Sequence, residues 1–278
     1  MLNDCEAKKK NLKYQKSYEI AEDYYVKENF KTALDYFKES YKLKKNNDTL
    51  NYIGCCYLAL EDYISAMRAF KELIKVCQEW ERPVFNLGRV YLKLRQFKKA
   101  KKYFEKALNI NPDNEDTYYY FGVLYYEMKD YEKAKTFYQE SLAINNEQSE
   151  AHYDLGLCYY RLDIYEEALS EFDLAYKYDN NSKDAIKIKG SVYISMKKYS
   201  EALNILLDSY KEEADNITDM LDIAYCYYKL NDYENALDWL NKLLSIEPEH
   251  DLANKLLKNV KYLIKHGAPP NKKLNEGK

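Results

Sequence analysis

The chain has 278 residues, and its 43 Lys and Arg against 46 Asp and Glu give a net charge of −3. This balance excludes the strongly basic surface that is typical of proteins binding a phosphate backbone. With only 7 Gly and 5 Pro, the composition favours helices over a β-fold with many tight turns. No apolar run of about 18 residues occurs, which predicts no membrane insertion. The first 16 residues are polar and the six cysteines lack metal-ligand spacing, so we expect a reducing, cytoplasmic location.

Small residues recur at a fixed interval along most of the chain. Glycine appears every 34 residues, at Gly54, Gly88, Gly122, Gly156 and Gly190. Alanine recurs with the same period after one step of 33, at Ala33, Ala66, Ala100, Ala134, Ala168, Ala202 and Ala236. A glycine inside a helix costs about 1 kcal/mol relative to alanine. Its repetition therefore predicts a second helix close enough to leave no room for a Cβ atom.

The period divides the chain into predicted elements. Residues 1–13 form a polar N-terminal leader, followed by seven repeats, a capping helix over 251–266 and a disordered tail over 267–278. The repeats are 14–46, 47–80, 81–114, 115–148, 149–182, 183–216 and 217–250. Each reads as two short antiparallel helices, so we expect fifteen helices in all. In the fourth repeat Asp130 is the predicted N-cap of the second helix.

The capping helix is predicted from a single apolar stripe. Leu252, Leu256, Val260 and Leu263 lie on one helical face, and lysines occupy the rest of the surface. Such a helix would cover the apolar end of the last repeat and present a polar outer side.

The repeat closely resembles the tetratricopeptide repeat (TPR). In the third repeat the residues at the signature positions are Val84, Leu87, Gly88, Tyr91, Ala100, Phe104, Ala107 and Pro112. The resemblance covers about 237 of the 278 residues. It implies an all-α fold, a right-handed α-solenoid superhelix of stacked helix pairs. It also implies that a partner protein or peptide binds in a concave groove lined by the first helix of each repeat.

The resemblance places groove residues at positions 2, 5, 9, 12 and 13 of each repeat. The candidates are Arg82, Phe85, Arg89, Lys93, Tyr119, Val123, Tyr126, Tyr153, Leu157, Tyr160 and Arg161. Several of the tyrosines are residues that the repeat itself favours, so repeat packing is the alternative for them. Together the set would form an apolar and aromatic strip with cationic groups beside it, which is typical of a peptide groove, and a solvated face without function is the alternative. We therefore expect a partner with apolar or aromatic anchors and acidic groups.

The cysteines and histidines carry no catalytic or metal-binding pattern. Cys56, Cys158 and Cys226 share position 10 of their repeats, a core position, and are predicted to be small buried hydrophobic residues. The three histidines lie in different elements with no carboxylate or thiol at ligand spacing. No phosphate-binding or nucleophile motif occurs. We therefore predict no metal, no cofactor and no enzymatic activity.

The leading functional prediction is a protein–protein interaction scaffold or adaptor. A cytoplasmic peptide-sensing regulator is the alternative. Helical repeats that bind RNA are disfavoured, because they need a basic groove and the chain is slightly acidic.

Overall fold

The computed structural model describes residues 2–179, 183–212 and 216–267. Within these ranges the chain contains helices and no strand. The helices are α1 (Leu2–Val26), α2 (Phe30–Leu43), α3 (Asn47–Ala59), α4 (Tyr63–Val76), α5 (Glu81–Lys93), α6 (Phe97–Ile110), α7 (Glu115–Glu127), α8 (Tyr131–Ile144), α9 (Ser149–Arg161), α10 (Tyr165–Tyr178), α11 (Lys183–Ser195), α12 (Tyr199–Glu212), α13 (Ile217–Lys229), α14 (Tyr233–Ile246) and α15 (Asp251–His266). The predicted all-α solenoid of consecutive helix pairs is confirmed.

The helices divide into two compact units. The N-terminal unit, residues 1–146, contains α1 to α8, and the C-terminal unit, residues 147–278, contains α9 to α15. In both units the odd-numbered helix of each pair packs against the even-numbered helix that follows it. The first helices of adjacent repeats also contact one another: α5 contacts both α3 and α7.

The first helix is longer than the repeat period predicts. It begins at Leu2, whereas the period predicts that the first repeat starts at Tyr14. No proline or glycine occurs between Leu2 and Val26, and the segment 6–16 contains five Lys and one each of Glu, Ala, Leu and Gln, all of which favour helix. The polar leader therefore continues the first helix toward the N-terminus. The predicted tail beyond Gly267 lies outside the described residues.

The glycine period is explained by the contact between paired helices. A Cβ atom on Gly122 of α7 would lie 2.5 Å from the ring of Tyr138 on α8, and one on Gly88 would lie 2.6 Å from the ring of Phe104. Both rings are completely or almost completely buried and have no room to move. The prediction of a close helix approach at the repeated glycines is confirmed. The seven repeated alanines are fully buried as well.

A tight turn joins the two helices of each pair. The turn residue has a positive φ at Glu28, Glu61, Arg95, Lys129, Asp163, Lys197 and Asn231. In the fourth repeat Lys129 N donates to Tyr126 O at 2.8 Å and Asp130 N donates to Tyr125 O at 2.9 Å. These two bonds form a Schellman motif, which satisfies the last carbonyls of α7. Asp130 then accepts a hydrogen bond from Lys133 N, which confirms it as the N-cap of α8.

The last helix packs on the C-terminal unit with a face that differs from the predicted stripe. Ala253 and Val260 of α15 are fully buried, and Leu256 and Leu257 pack against the same core. Leu252, the predicted start of the stripe, is 59% exposed. Ala253, Leu256 and Val260 follow the spacing i, i+3, i+7, so the buried face is rotated by one residue from the predicted start. Gly267, whose φ is 75°, follows the last residue of the helix and forms its C-cap.

Candidate functional site: a polar cleft on the first helices

A cleft of about 410 Å³ lies on the first helices of the N-terminal unit. Its lining comes from α3, α5, the first turn of α7 and the residues just before α7. The lining residues are Asn51, Tyr52, Cys55, Glu81, Arg82, Phe85, Asn86, Arg89, Asn111, Asn114, Glu115 and Asp116. Three of the predicted groove residues, Arg82, Phe85 and Arg89, are therefore brought together in one place.

The middle of the cleft is a hydrogen-bonded row of polar side chains. The carboxamide nitrogen of Asn86 donates to Asn51 Oδ1 at 3.3 Å and to Cys55 Sγ at 3.4 Å. Arg89 Nη1 in turn donates to Asn86 Oδ1 at 3.2 Å. Asn51 and Asn86 are buried and hold each other in position. The row thus presents preorganised polar groups at the floor of the cleft.

Arg89 is held by aromatic rings as well as by this hydrogen bond. Its guanidinium carbon lies 4.7 Å from the ring centroid of Tyr120 and 5.7 Å from that of Phe85. A cation over an aromatic face is attracted by the ring quadrupole, and a planar guanidinium also stacks well. Arg89 is half-buried, whereas Arg82, about two helical turns away on α5, is exposed. The cleft therefore holds one restrained and one exposed cationic group.

Acidic groups border the same cleft. Desolvation and the neighbouring Glu115 carboxylate raise the pKa of Asp116, and the guanidinium groups of Arg89 and Arg82 oppose this rise. Burial also raises the pKa of the Cys55 thiol to about 11, which keeps it protonated at neutral pH. The cleft thus carries charges of both signs, with Glu81, Arg82 and Arg89 on α5 and Glu115 and Asp116 at the start of α7.

The remaining predicted residues of the N-terminal unit lie outside this cleft. Lys93 is exposed near the end of α5, and Tyr119, Val123 and Tyr126 are half-buried along α7. The ring of Tyr119 lies 5.6 Å from that of Tyr138, and the ring of Tyr126 lies 5.2 Å from that of Tyr131. These tyrosines therefore pack partly against their own repeat.

Phe85 differs from its expected role as exposed apolar surface. It is only 8% exposed, and its ring lies 5.3 Å from that of Tyr120 and 6.0 Å from that of Phe104. The ring is enclosed because α5 and α7 pack closely enough for aromatic side chains of adjacent repeats to meet. Phe85 therefore contributes to the cleft as a packing partner of the Arg89 guanidinium.

In the C-terminal unit the predicted residues follow α9. Tyr153, Leu157 and Tyr160 are half-buried and pack against the core formed by α9, α10 and α11. The Tyr160 hydroxyl lies 3.1 Å from Ser195 Oγ at the end of α11. Arg161 is exposed in the last turn of α9.

Sequence reasoning missed the polar floor of the cleft. Asn51, Cys55 and Asp116 occupy positions 5, 9 and 2 of their repeats, so the rule used for the other candidates would have found them. Asn86 is at position 6, outside that rule, and its role depends on the side chain of the preceding repeat. The repeat period alone does not predict which side chains of adjacent repeats contact each other.

The burial of the cysteines was predicted correctly, but the contact between His152 and Glu171 was missed. Cys56, Cys158 and Cys226 are fully buried. His152 Nδ1 lies 2.6 Å from Glu171 Oε2, and its ring stacks on Tyr178 at 5.4 Å. These residues are 19 apart in sequence and meet only because α9 and α10 are antiparallel. Among the described residues no group of three or more His, Cys, Asp or Glu side chains could hold a metal ion.

Two family models match the chain. The model of anaphase-promoting complex, cyclosome, subunit 3 matches residues 93–175 and again 171–243, and the Fis1 C-terminal tetratricopeptide repeat matches residues 223–268. Together with the tandem helix pairs, these matches show that the chain belongs to the tetratricopeptide-repeat family. Proteins of this family are in general scaffolds for protein–protein interaction and not enzymes.

Solved structures are similar in fold at low sequence identity. YrrB, described as a TPR protein with an unusual peptide-binding site, is 23% identical, with a TM-score of 0.63, over 69% of this chain and 100% of its own. PilF of Pseudomonas aeruginosa is 17% identical, with a TM-score of 0.66, over 77% of this chain and 97% of its own. A thermophilic TPR protein of Thermus thermophilus is 19% identical, with a TM-score of 0.60, over 65% of this chain and 99% of its own. No curated protein sequence matches this chain.

No helix in the described part of the chain combines the length and the apolar character needed to cross a membrane.

Proposed function

We propose that this protein is a non-catalytic scaffold or adaptor that binds a partner polypeptide on its first helices, with the polar cleft of the N-terminal unit as the anchoring point. The observation that carries the proposal is the Arg89–Asn86–Asn51 row. Buried carboxamides and a guanidinium are prearranged there, next to an exposed guanidinium at Arg82. The peptide-binding site of YrrB, a protein with the same fold, supports this type of function.

The chemistry of the cleft favours an acidic group on the partner. A guanidinium binds a carboxylate through two parallel hydrogen bonds, and Arg82 is exposed and available for such a pair. Asn51 Nδ2 can donate and Asn86 Oδ1 can accept a second hydrogen bond, which suits the main chain of an extended peptide. A carboxylate of the partner would share with Asp116 the electrostatic attraction of Arg82 and Arg89.

Apolar contacts would come from the half-buried side chains along the first helices. Tyr119, Val123 and Tyr126 lie on α7, which contacts α5 within the same unit. Tyr153, Leu157 and Tyr160 present the same kind of surface in the C-terminal unit. Aromatic side chains that are already packed lose little conformational freedom on binding, which favours them as anchors. The proposed ligand therefore combines acidic residues with aromatic or aliphatic ones.

A random peptide library tests the proposal without knowledge of the partner. Selection on the full chain should enrich peptides that contain Asp or Glu close to Phe, Tyr, Leu or Ile. A synthetic peptide of the enriched sequence, measured by titration calorimetry, should bind Arg82→Glu at least about tenfold more weakly, since a charge-assisted pair is replaced by repulsion.

The matched control is Lys71→Glu, which makes the same charge change at an exposed site on α4, outside the cleft. Its affinity should equal that of the unaltered chain. Arg89→Glu tests the restrained cation, provided that circular dichroism shows the helicity and melting temperature of the unaltered chain. Enriched peptides that bind Arg82→Glu normally, or that are lost with Lys71→Glu, would place the site elsewhere and contradict the proposal.

A further inference from the structure

Lysines cover the exposed side of α6, the second helix of the third repeat. Its five lysines against one glutamate give it a net charge of +4. Lys98, Lys102 and Lys106 are exposed and follow one another at i, i+4 and i+8, opposite the buried Ala100, Phe104 and Ala107. At 1.5 Å per residue they form a straight row with a step of about 6 Å, here called the lysine row.

In the isolated chain this arrangement is electrostatically unfavourable. Like charges four residues apart on a helix repel each other, and the row contains two such pairs. The helix dipole favours acidic residues in the first turn, yet the first turn of α6 has none and contains Lys98 and Lys99. Lys98 and Lys102 form no ion pair within the described residues. An anionic surface placed over the row would remove the repulsion.

The C-terminal unit carries an acidic row at the same repeat positions. Glu234 and Asp238 of α14 occupy the positions that Lys98 and Lys102 occupy in α6, and both are exposed. They too form no ion pair within the described ranges. The next position along this face holds Lys242, whose ammonium lies 4.5 Å from the ring centroid of Tyr210 and 5.3 Å from that of Trp239. Lys242 is therefore drawn toward these rings and away from the acidic row.

The two units differ in charge as a whole. The N-terminal unit has 26 Lys and Arg against 22 Asp and Glu, a net charge of +4. The C-terminal unit has 17 against 24, a net charge of −7. Opposite net charges guide the encounter of two molecules before any close contact forms.

We propose that the lysine row of α6 docks on the acidic row of α14 in a second copy of this chain. An antiparallel crossing of the two helices places Lys98 opposite Asp238 and Lys102 opposite Glu234, because both rows have the same four-residue step. The contact joins two different surfaces, so a pair of copies joined by a single contact keeps one free row of each sign. Further copies add as the concentration rises, which gives head-to-tail association.

Sedimentation velocity of the full chain tests this association. In about 50 mM NaCl the weight-average mass should rise above the monomer mass of 33.2 kDa as the protein concentration increases. In about 500 mM NaCl the weight-average mass should return to the monomer mass, because salt at this concentration limits the electrostatic attraction to a range of only a few ångströms. A chain that stays at 33.2 kDa up to about 200 μM at low salt would overturn the proposal and assign the lysine row to a different acidic partner.

Charge reversal identifies the contact. Lys98→Glu with Lys102→Glu should weaken self-association at least about tenfold. Lys31→Glu with Lys42→Glu on α2 makes the same charge change at two exposed sites and should leave self-association intact. Adding Glu234→Lys and Asp238→Lys to the α6 variant exchanges the two rows and should restore it. Association that survives the α6 reversal, or that is not restored in a variant of normal helicity, would show that these two rows are not the contact.

Discussion

The N-terminal and C-terminal units use the same helix pair and differ in what its surface carries. In both units a small residue of the first helix meets a large side chain of the second, as Gly122 meets Tyr138 and Gly190 meets Leu206. The N-terminal unit places arginines and asparagines on its first helices and has a net charge of +4, whereas the C-terminal unit has a net charge of −7. The contact between paired helices constrains the core positions, and the surface positions can vary with function.

The largest expected effect separates two helix pairs, one from each unit, by the side chain that faces the glycine. A Cβ at Gly122 would lie 2.5 Å from the buried ring of Tyr138, while one at Gly190 would lie 2.7 Å from a methyl group of Leu206. Because overpacking a rigid core costs about 1–3 kcal/mol, we expect Gly122→Leu to lower the free energy of unfolding by about 3 kcal/mol or more. Gly190→Leu should cost about 1 kcal/mol less, since an aliphatic side chain can change its rotamer.

Urea unfolding followed by circular dichroism measures both variants. Gly267→Leu measures the backbone cost alone, because nothing lies within 4 Å of its Cβ position while its φ of 75° and ψ of 163° strain any residue other than glycine. Equal costs at Gly122 and Gly190 would show that the ring of Tyr138 and the aliphatic side chain of Leu206 resist the added side chain equally. A neutral Gly122→Leu would contradict the close packing itself.

The residues that could be predicted from the sequence are those that the repeated helix contact requires. Gly122, Ala134 and Tyr138 recur at one period, and their burial follows from that period alone. The contact between Asn86 and Asn51 could not be predicted in the same way, because it forms between adjacent repeats and needs both side chains at one particular boundary. The surface of each repeat depends on its neighbour, whereas the core of each pair depends on itself.

An effect of intermediate size concerns the pH dependence of the free energy of unfolding, to which two acidic residues, one in each unit, contribute differently. Burial, together with the neighbouring Asp219 carboxylate, raises the pKa of Asp222 to about 6. Because this pKa is higher in the folded than in the unfolded chain, ionisation of Asp222 destabilises the fold as the pH rises from about 4 to 6. We therefore expect Asp222→Asn to raise the free energy of unfolding at pH 7 by about 2 kcal/mol. The gain should vanish near pH 4.

Asp116 in the N-terminal unit provides the comparison. Its pKa is raised by desolvation and by Glu115, but Arg89 and Arg82 stabilise its charged form. Asp116→Asn should therefore change the pH dependence of unfolding less than Asp222→Asn does. Urea unfolding at several pH values between about 4 and 8 separates the two. A stability difference between the unaltered chain and Asp222→Asn that does not depend on pH would contradict the raised pKa.

The smallest expected effect concerns the turn that both units share. Lys129 in the N-terminal unit and Lys197 in the C-terminal unit have φ values of 62° and 61°, in the left-handed region. This conformation costs an L-residue with a Cβ about 1–2 kcal/mol, and glycine avoids that cost but loses about 0.5–1 kcal/mol of backbone entropy. Lys129→Gly and Lys197→Gly should each stabilise the chain by about 0.5 kcal/mol, whichever unit they lie in. Asn231 has the same conformation, with φ 64°, and asparagine tolerates it, so Asn231→Gly should change the melting temperature little. If only one of the two lysine variants raises the melting temperature, the turns of the two units differ in strain, and the shared turn geometry would no longer explain why the same helix pair recurs in both.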